Sequence, residues 1–257
     1  MIPPMARKHL PIALLGLLML QCKGQTTKQG TVGDPSLETP QRYTYRKGDP
    51  NGTGKWYMGR EIAHVMGFQG MAWLERPERD REEDTAALLK NLDIQEGDTI
   101  ADIGAGSGYH IFKMAPKVGA GHLYAVDIQQ EMLNEIQRKK EVGGLTNIST
   151  VKGSATSAHL EPNTVDKVLM VDVYHEFDHP YEMMTSIYGA LRPNGKLYLV
   201  EYRAEDAQVP IKRVHKMSEA QAVKEMAAVG FTLEKNIENL PWQHCLVFVK
   251  KSTANQP

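Results

Sequence analysis

A chain of 257 residues with a net charge of −1 is long enough for one domain with a sizeable core, and its balanced charge gives no electrostatic case for a nucleic-acid partner. No basic run interleaved with aromatic residues is present. The two cysteines, Cys22 and Cys245, form no zinc-ligand cluster, so no structural metal is expected from them.

Arg7, Lys8 and His9 precede Leu10 to Leu20, an apolar run broken only by Pro11 and Gly16. It is too short and wrongly flanked for a transmembrane helix, and it reads as an export signal. Met19-Leu20-Gln21-Cys22 resembles the lipobox of bacterial lipoproteins, with Gln21 where a small residue is usual. That resemblance implies a lipidated Cys22 and a membrane-anchored address in the cell envelope or periplasm. The alternative is a buried or amphipathic helix of a cytoplasmic protein. Residues 23–54 are rich in Gly, Thr, Gln, Pro and Asp and read as a flexible tether. The expected organisation is a signal segment over 1–22, the tether over 23–54, a helical cap over 55–92 and the main domain over 93–251.

Trp56, Met58, Ile62, Val65 and Met66 have roughly helical spacing, with Gly67 as a stop. Glu61 and His64 would fall on one side of that helix. Met71 to Pro77 fits no period. Glu78 to Glu83 is a charge run, read as a solvated helix start. Thr85–Leu92 continues as an amphipathic helix.

An alternating βα pattern follows. Strands are predicted at Thr99–Ile103, His122–Val126, Ile148–Val151, Val165–Val171 and Lys196–Val200. Helices are predicted at Tyr109–Lys117, Gln129–Val142 and Tyr181–Leu191, the last closed by a turn at Arg192-Pro193-Asn194-Gly195. A helix from Ser218 to Val229 precedes two closing strands, Phe231–Ile237 and Trp242–Lys250. Met183, Met184, Ile187 and Met226 fall at core positions, and His244 sits on a strand in a structural role. Alternation of this kind means a mostly parallel sheet covered on both faces.

The stretch Asp102-Ile103-Gly104-Ala105-Gly106-Ser107-Gly108-Tyr109 joins the first of these strands to the first helix. Glycines there allow a tight turn and a close approach to a ligand. A dinucleotide fingerprint would place Gly or Ala where Tyr109 stands, which disfavours a dinucleotide oxidoreductase. An acid before the glycines suits an ammonium group, and Asp127, at the end of the second strand, suits a ribose diol.

From about Gln95 to Lys250 the chain resembles class I S-adenosylmethionine-dependent methyltransferases. The resemblance implies an α/β, Rossmann-like fold: a seven-stranded, mostly parallel sheet with helices on both faces and the last strand antiparallel. It implies S-adenosylmethionine as cofactor. Asp102, Gly104, Gly106 and Gly108 would meet its methionyl part, Asp127 and Ile128 its ribose, and Ser154 and Ala155 its adenine. Asp172 to His175 would face cofactor and substrate. Val171-Asp172-Val173-Tyr174-His175-Glu176-Phe177 with Leu191 to Gly195 is most similar to the small-molecule branch, which includes quinone- and arsenite-methylating enzymes. A single core cysteine, Cys245, argues against arsenite. The expected activity is methyl transfer to a small acceptor. His175 is the first candidate for a general base and Glu176 and Glu201 are the second. The alternative is an envelope-anchored protein that binds a ligand on this fold without turnover.

His175-Glu176-Phe177-Asp178-His179 also fits the zinc-peptidase pattern, but a buried strand precedes it and Pro180 follows it, whereas that chemistry needs both histidines on one helix. His175 and His179 stay a candidate metal pair. Glu201 to Glu205, Pro210 to Lys212 and His215-Lys216 are either a charged surface loop or a substrate-facing one.

Overall fold

The computed structural model describes residues 41–250. Cys22, the export segment and most of the tether lie outside them. Among the described residues no helix is long and apolar enough to cross a membrane.

The main sheet has seven strands: β4 (Thr99–Ile103), β5 (His122–Asp127), β6 (Ile148–Lys152), β7 (Val165–Val171), β8 (Leu191–Tyr202), β9 (Phe231–Asn236) and β10 (Gln243–Lys250). Their spatial order is β6-β5-β4-β7-β8-β10-β9. Strands β6, β5, β4, β7 and β8 run parallel, and β10 is antiparallel to both its neighbours. This is the seven-stranded, Rossmann-like arrangement expected.

Alternate residues of each central strand enter opposite cores, as the two-residue strand period requires. Val168 and Met170 pack with Met183, Met184, Ile187 and Met226, on α6 (Pro180–Ala190) and α7 (Glu219–Ala227). Leu169 packs with Leu88, Ile111, Met114 and Ile136 on the other face, from α3 (Thr85–Asn91), α4 (Tyr109–Met114) and α5 (Gln130–Val142).

Ahead of α3 the structure departs from expectation. The helix expected across Trp56 to Met66 is a hairpin, β2 (Gly52–Tyr57) and β3 (Arg60–Ala63), joined to β1 (Tyr43–Tyr45) in a small antiparallel sheet. Met58 and Gly59 both have positive φ, the requirement of a tight two-residue hairpin turn. Regular structure therefore begins inside the expected tether, and the cap over 55–92 is not all helical. Beyond the hairpin it holds only short helices, α1 (Met71–Leu74) and α2 (Arg79–Glu83), before α3. Glu61 does not share a helix side with His64. It is buried and accepts the backbone N–H groups of Asp49 and Gly54. The Glu78–Glu83 charge run is not a solvated face either. Arg79 and Glu83 are buried and paired at 2.6 Å. The turn expected at Arg192 to Gly195 is absorbed into β8, where the register with β7 shifts and Asn194 takes a positive φ.

Candidate functional site

Strand order reverses between β4 and β7, the point at which open α/β sheets bind ligands beyond their strand ends. A cavity of about 500 Å³ lies there. The ends of β4, β5, β6 and β7 form its floor, and residues 65–79 and 210–215 close over it. Gly104, Gly106, Asp127, Ile128, Ser154, Ala155, Asp172, His175 and Glu176 border this cavity. Asp102, Gly108 and Glu201 do not.

The glycine loop is held by its neighbour strand. The N–H groups of Gly104 and Ala105 both donate to Val126 O, at 2.8 and 3.0 Å. Gly106 N–H donates to Asp127 Oδ2 at 2.9 Å, and Gln129 N–H donates to Asp127 Oδ1 at 2.8 Å. Asp127 thus ties loop to strand, with a further lone pair left on each oxygen. Gly104 has φ +74, and a Cβ there would stand 2.4 Å from Val173 Cγ2. Gly108 plays another part. It caps α4 at φ +82, and its missing Cβ faces Phe112 and Ile136 rather than the cavity.

Two carboxylates beside the loop are incompletely satisfied. Asp102 is buried behind it, and its Oδ2 has no hydrogen-bond partner among the described residues. Burial pushes its pKa up to about 7; the nearby Arg79 charge opposes this and Asp127 adds to it. Asp172 has a positive φ of 51° at the end of β7. Its Oδ2 accepts from Gln243 Nε2 at 2.6 Å, while Oδ1 has no partner among the described residues. Burial, followed by the charges of Glu83 and Glu201, pushes its pKa well up.

Arg79 was hidden in the charge run. It borders the cavity with Nε on Glu83 and Nη1 on Leu74 O, and among the described residues Nη2 makes no hydrogen bond. Its depth in the fold has no signal in hydrophobic spacing. Gln129, at the start of a predicted helix, pins the covering segment: Nε2 donates to Met66 O and Oε1 accepts from Phe68 N–H.

A polar cluster lies in the wall formed by β7 and the 210–215 segment. Glu201 is fully buried, and its Oε1 accepts the N–H groups of Tyr174 and His175. Its Oε2 stands 2.6 Å from His175 Nδ1. His175 Nε2 then lies 3.1 Å from His215 Nδ1. Glu176 Oε1 is 3.8 Å from the first of those nitrogens, 3.9 Å from the second, and accepts Met66 N–H. Burial disfavours charge on His175, but the Glu201 carboxylate outweighs it and raises the pKa. Burial, with the charge of His175 added, pushes His215 down to about 4. Burial also pushes Glu176 up to about 6, against the pull of His175. Of the two rings His215 is the more open, with a side chain 23% exposed against 3%.

His179 does not join this cluster. It precedes α6, beside Asp178 and Lys55, so the candidate His175–His179 pair is not formed. His215 takes the second place, on the loop that the sequence left between two readings; it faces the cavity. Arg203 instead fastens the surface, donating to Leu240 O and Pro241 O. His244 is held between Glu205 and Asn236, a structural position.

Comparison with known proteins agrees with this geometry. Residues 100–195 match the family described as "Methyltransferase domain". An uncharacterized methyltransferase-like protein of Schizosaccharomyces pombe is 36% identical over 127 residues, which are 48% of this chain and 46% of that one. An uncharacterized methyltransferase of Bacillus subtilis is 28% identical over 143 residues, 56% of this chain and 76% of that one. The match thus spans about half the length of the first relative. Among solved structures, a SAM-dependent methyltransferase from Aquifex aeolicus superposes with a TM-score of 0.68 at 23% identity, covering 73% of this chain and 100% of that one. The chain has the class I methyltransferase fold.

Proposed function

We propose that this chain is an S-adenosylmethionine-dependent methyltransferase acting on a small acceptor molecule. The observation that carries the reading is the buried Asp172 Oδ1, which borders the cavity and has no partner among the described residues, beside a glycine loop without room for side chains; Asp102, buried behind that loop, adds a second carboxylate without reaching the cavity. A buried polar atom left without a partner is costly, and an ammonium group is the donor such atoms lack. Arg79 has an uncommitted donor for a carboxylate. Asp127 retains lone pairs for ribose hydroxyls. Ile128, which stays 45% exposed at the cavity edge, and Met132 offer apolar surface to a base, with Ser154 and Ala155 across from them.

S-adenosylmethionine would supply a methyl carbon on a sulfonium, whose departure leaves a neutral thioether and needs no acid. The tasks left to the chain are alignment and exclusion of water. Val65, Met66, Leu74 and Phe177 wall the cavity with apolar surface. His175, Glu176 and His215 form the polar wall that would hold the acceptor and dispose of its proton. Glu201 does not reach the cavity. It acts through His175 and is a positioning residue. A cavity that must also hold a nucleoside-sized cosubstrate favours a small acceptor.

Calorimetry with S-adenosylmethionine and S-adenosylhomocysteine tests this reading. One-to-one binding of both is expected, and binding of neither overturns it. Binding without methyl transfer to any of a panel of small nucleophiles would replace it with the non-catalytic ligand-binding reading.

We also propose, on the sequence of the N-terminus alone, that the chain is anchored in the cell envelope through lipidated Cys22. Mass spectrometry of the mature protein should find a diacylated N-terminal cysteine. An unprocessed Met1 start would overturn this address in favour of a cytoplasmic one.

A further inference from the structure

The polar cluster has the form of a metal centre, and we infer that His175 Nε2, His215 Nδ1 and Glu176 Oε1 bind a divalent transition-metal ion of the zinc class, with an open coordination position facing the cavity. No sequence motif announces it. The three donors come from two segments about 40 residues apart, brought together by the end of β7 and the 3-10 turn Arg213–His215.

Three observations carry the inference. The first is spacing. The donor atoms form a triangle with sides of 3.1, 3.8 and 3.9 Å. The centre of that triangle is roughly 2.1 Å from each corner, close to the bond length zinc makes to imidazole nitrogen and carboxylate oxygen. The second is the support behind the donors. His175 turns its other ring nitrogen to the buried Glu201 carboxylate at 2.6 Å. A carboxylate in that position fixes the ring and the tautomer that leaves Nε2 free to ligate. Glu201 is itself oriented by the two backbone N–H groups of Tyr174 and His175. The third is charge and access. Two imidazoles, which ligate once neutral, and one carboxylate are the donor set of a catalytic zinc site that keeps a fourth position open. All three residues border the cavity, so that position opens onto it.

What the ion does there rests on the methyltransferase reading: it would hold the acceptor's nucleophilic atom and ease the loss of its proton to solvent. Whether it binds does not rest on that reading.

The test is metal content and metal affinity of the full-length protein. After purification in chelator, zinc is titrated by calorimetry, and cobalt(II) is added as a spectroscopic probe. We expect one ion per chain and visible cobalt bands of low coordination number. H215A, on a partly open loop, and E176Q should each weaken zinc at least about tenfold, while H122A, outside the cluster, should not. E201Q should weaken it by about 10- to 100-fold although Glu201 touches no ion. Failure of the wild type to take up either ion, or equal affinity in H215A and wild type, would overturn the site and leave a plain His175–His215 hydrogen bond. S-adenosylhomocysteine is titrated into the same samples. Its binding without metal uptake sinks only the metal site. Metal uptake without its binding supports the site and sinks only the methyltransferase reading.

Discussion

Glu201 Oε2 and His175 Nδ1 stand 2.6 Å apart, and neither side chain is more than 3% exposed. The carboxylate is the shared acceptor for three donors: the His175 ring and the backbone N–H groups of Tyr174 and His175. Removing it as E201A strands all three in the interior. We expect a loss of about 3 kcal/mol of stability, read by denaturant unfolding. E201Q separates structure from chemistry. Its amide oxygen can still accept the backbone groups, but its NH₂ then meets His175 Nδ1 and forces the ring to carry its proton on Nε2. E201Q should therefore fold close to normally and lose about 100-fold or more in turnover. Equal turnover in E201Q and wild type would remove Glu201 from the mechanism.

Gly104 tests the cradle. Alanine there must adopt φ +74 and place its Cβ 2.4 Å from Val173 Cγ2, a short β-branched side chain with little freedom to move. G104A should cost about 1–3 kcal/mol in unfolding experiments and abolish measurable S-adenosylhomocysteine binding by calorimetry. Gly106 differs. Its Cβ would meet Leu74 Cδ1, the far end of a flexible chain, at 2.6 Å. G106A should fold better than G104A yet still bind weakly, because Leu74 must swing within the cavity wall.

The contrast between these loops and the small sheet explains what the sequence could disclose. Strand Val165–Val171 is legible because its inner part, buried on both faces, leaves the apolar run Val168 to Val171. Asp102 to Gly108 is legible because glycines mark a turn wherever they stand. The hairpin Gly52–Ala63 is not, because its buried members include Lys55 and Glu61, which are satisfied by partners rather than by apolar packing. Hydrophobic periodicity does not register burial of that kind. Arg79 and Glu83 are hidden in the same way, as a buried pair that reads as surface charge. His215 is hidden by distance along the chain. Its relation to His175 exists only once β8 and the loop after it have folded back over the end of β7.

Asp102 sets a pH dependence. Its pKa is pushed up to about 7 in the folded chain, mainly by burial, above its ordinary unfolded value near 4. The folded state therefore holds a proton that the unfolded state has lost across that window. Its favourable contribution is complete below pH ~4 and is lost as pH rises through ~7, at up to ~1.4 kcal/mol per pH unit. D102N cannot ionise. It should flatten the fall of stability between about pH 4 and 7 and be more stable than the wild type at pH 8 in the absence of ligand. The ligand dependence runs the other way. A negative charge behind the loop favours a cation in the cavity without touching it, so wild-type affinity for S-adenosylmethionine should rise as pH passes ~7, and D102N should show no such rise. Parallel pH–stability curves for the two proteins would remove Asp102 from this role.

On the S-adenosylmethionine reading, Arg79 would hold the carboxylate at the same amino-acid end of the ligand. Its Nε and Nη1 are committed to Glu83 and Leu74 O, at 2.6 and 2.9 Å, which fixes the guanidinium plane over the Tyr109 ring and presents Nη2 as the spare donor. Lysine keeps the charge but lacks the planar fork, so it cannot hold Glu83, Leu74 and a ligand carboxylate together. Glu83 would keep Arg76 as a partner, at 2.8 Å, so R79K should leave the fold largely intact. Affinity for S-adenosylhomocysteine should fall about tenfold, the scale of one charge-assisted hydrogen bond. The control is a ligand without the carboxylate. Decarboxylated S-adenosylhomocysteine should bind wild type and R79K alike, since the lost contact is one it never makes. An equal drop for both ligands would mean that Arg79 shapes the wall of the cavity without touching the carboxylate.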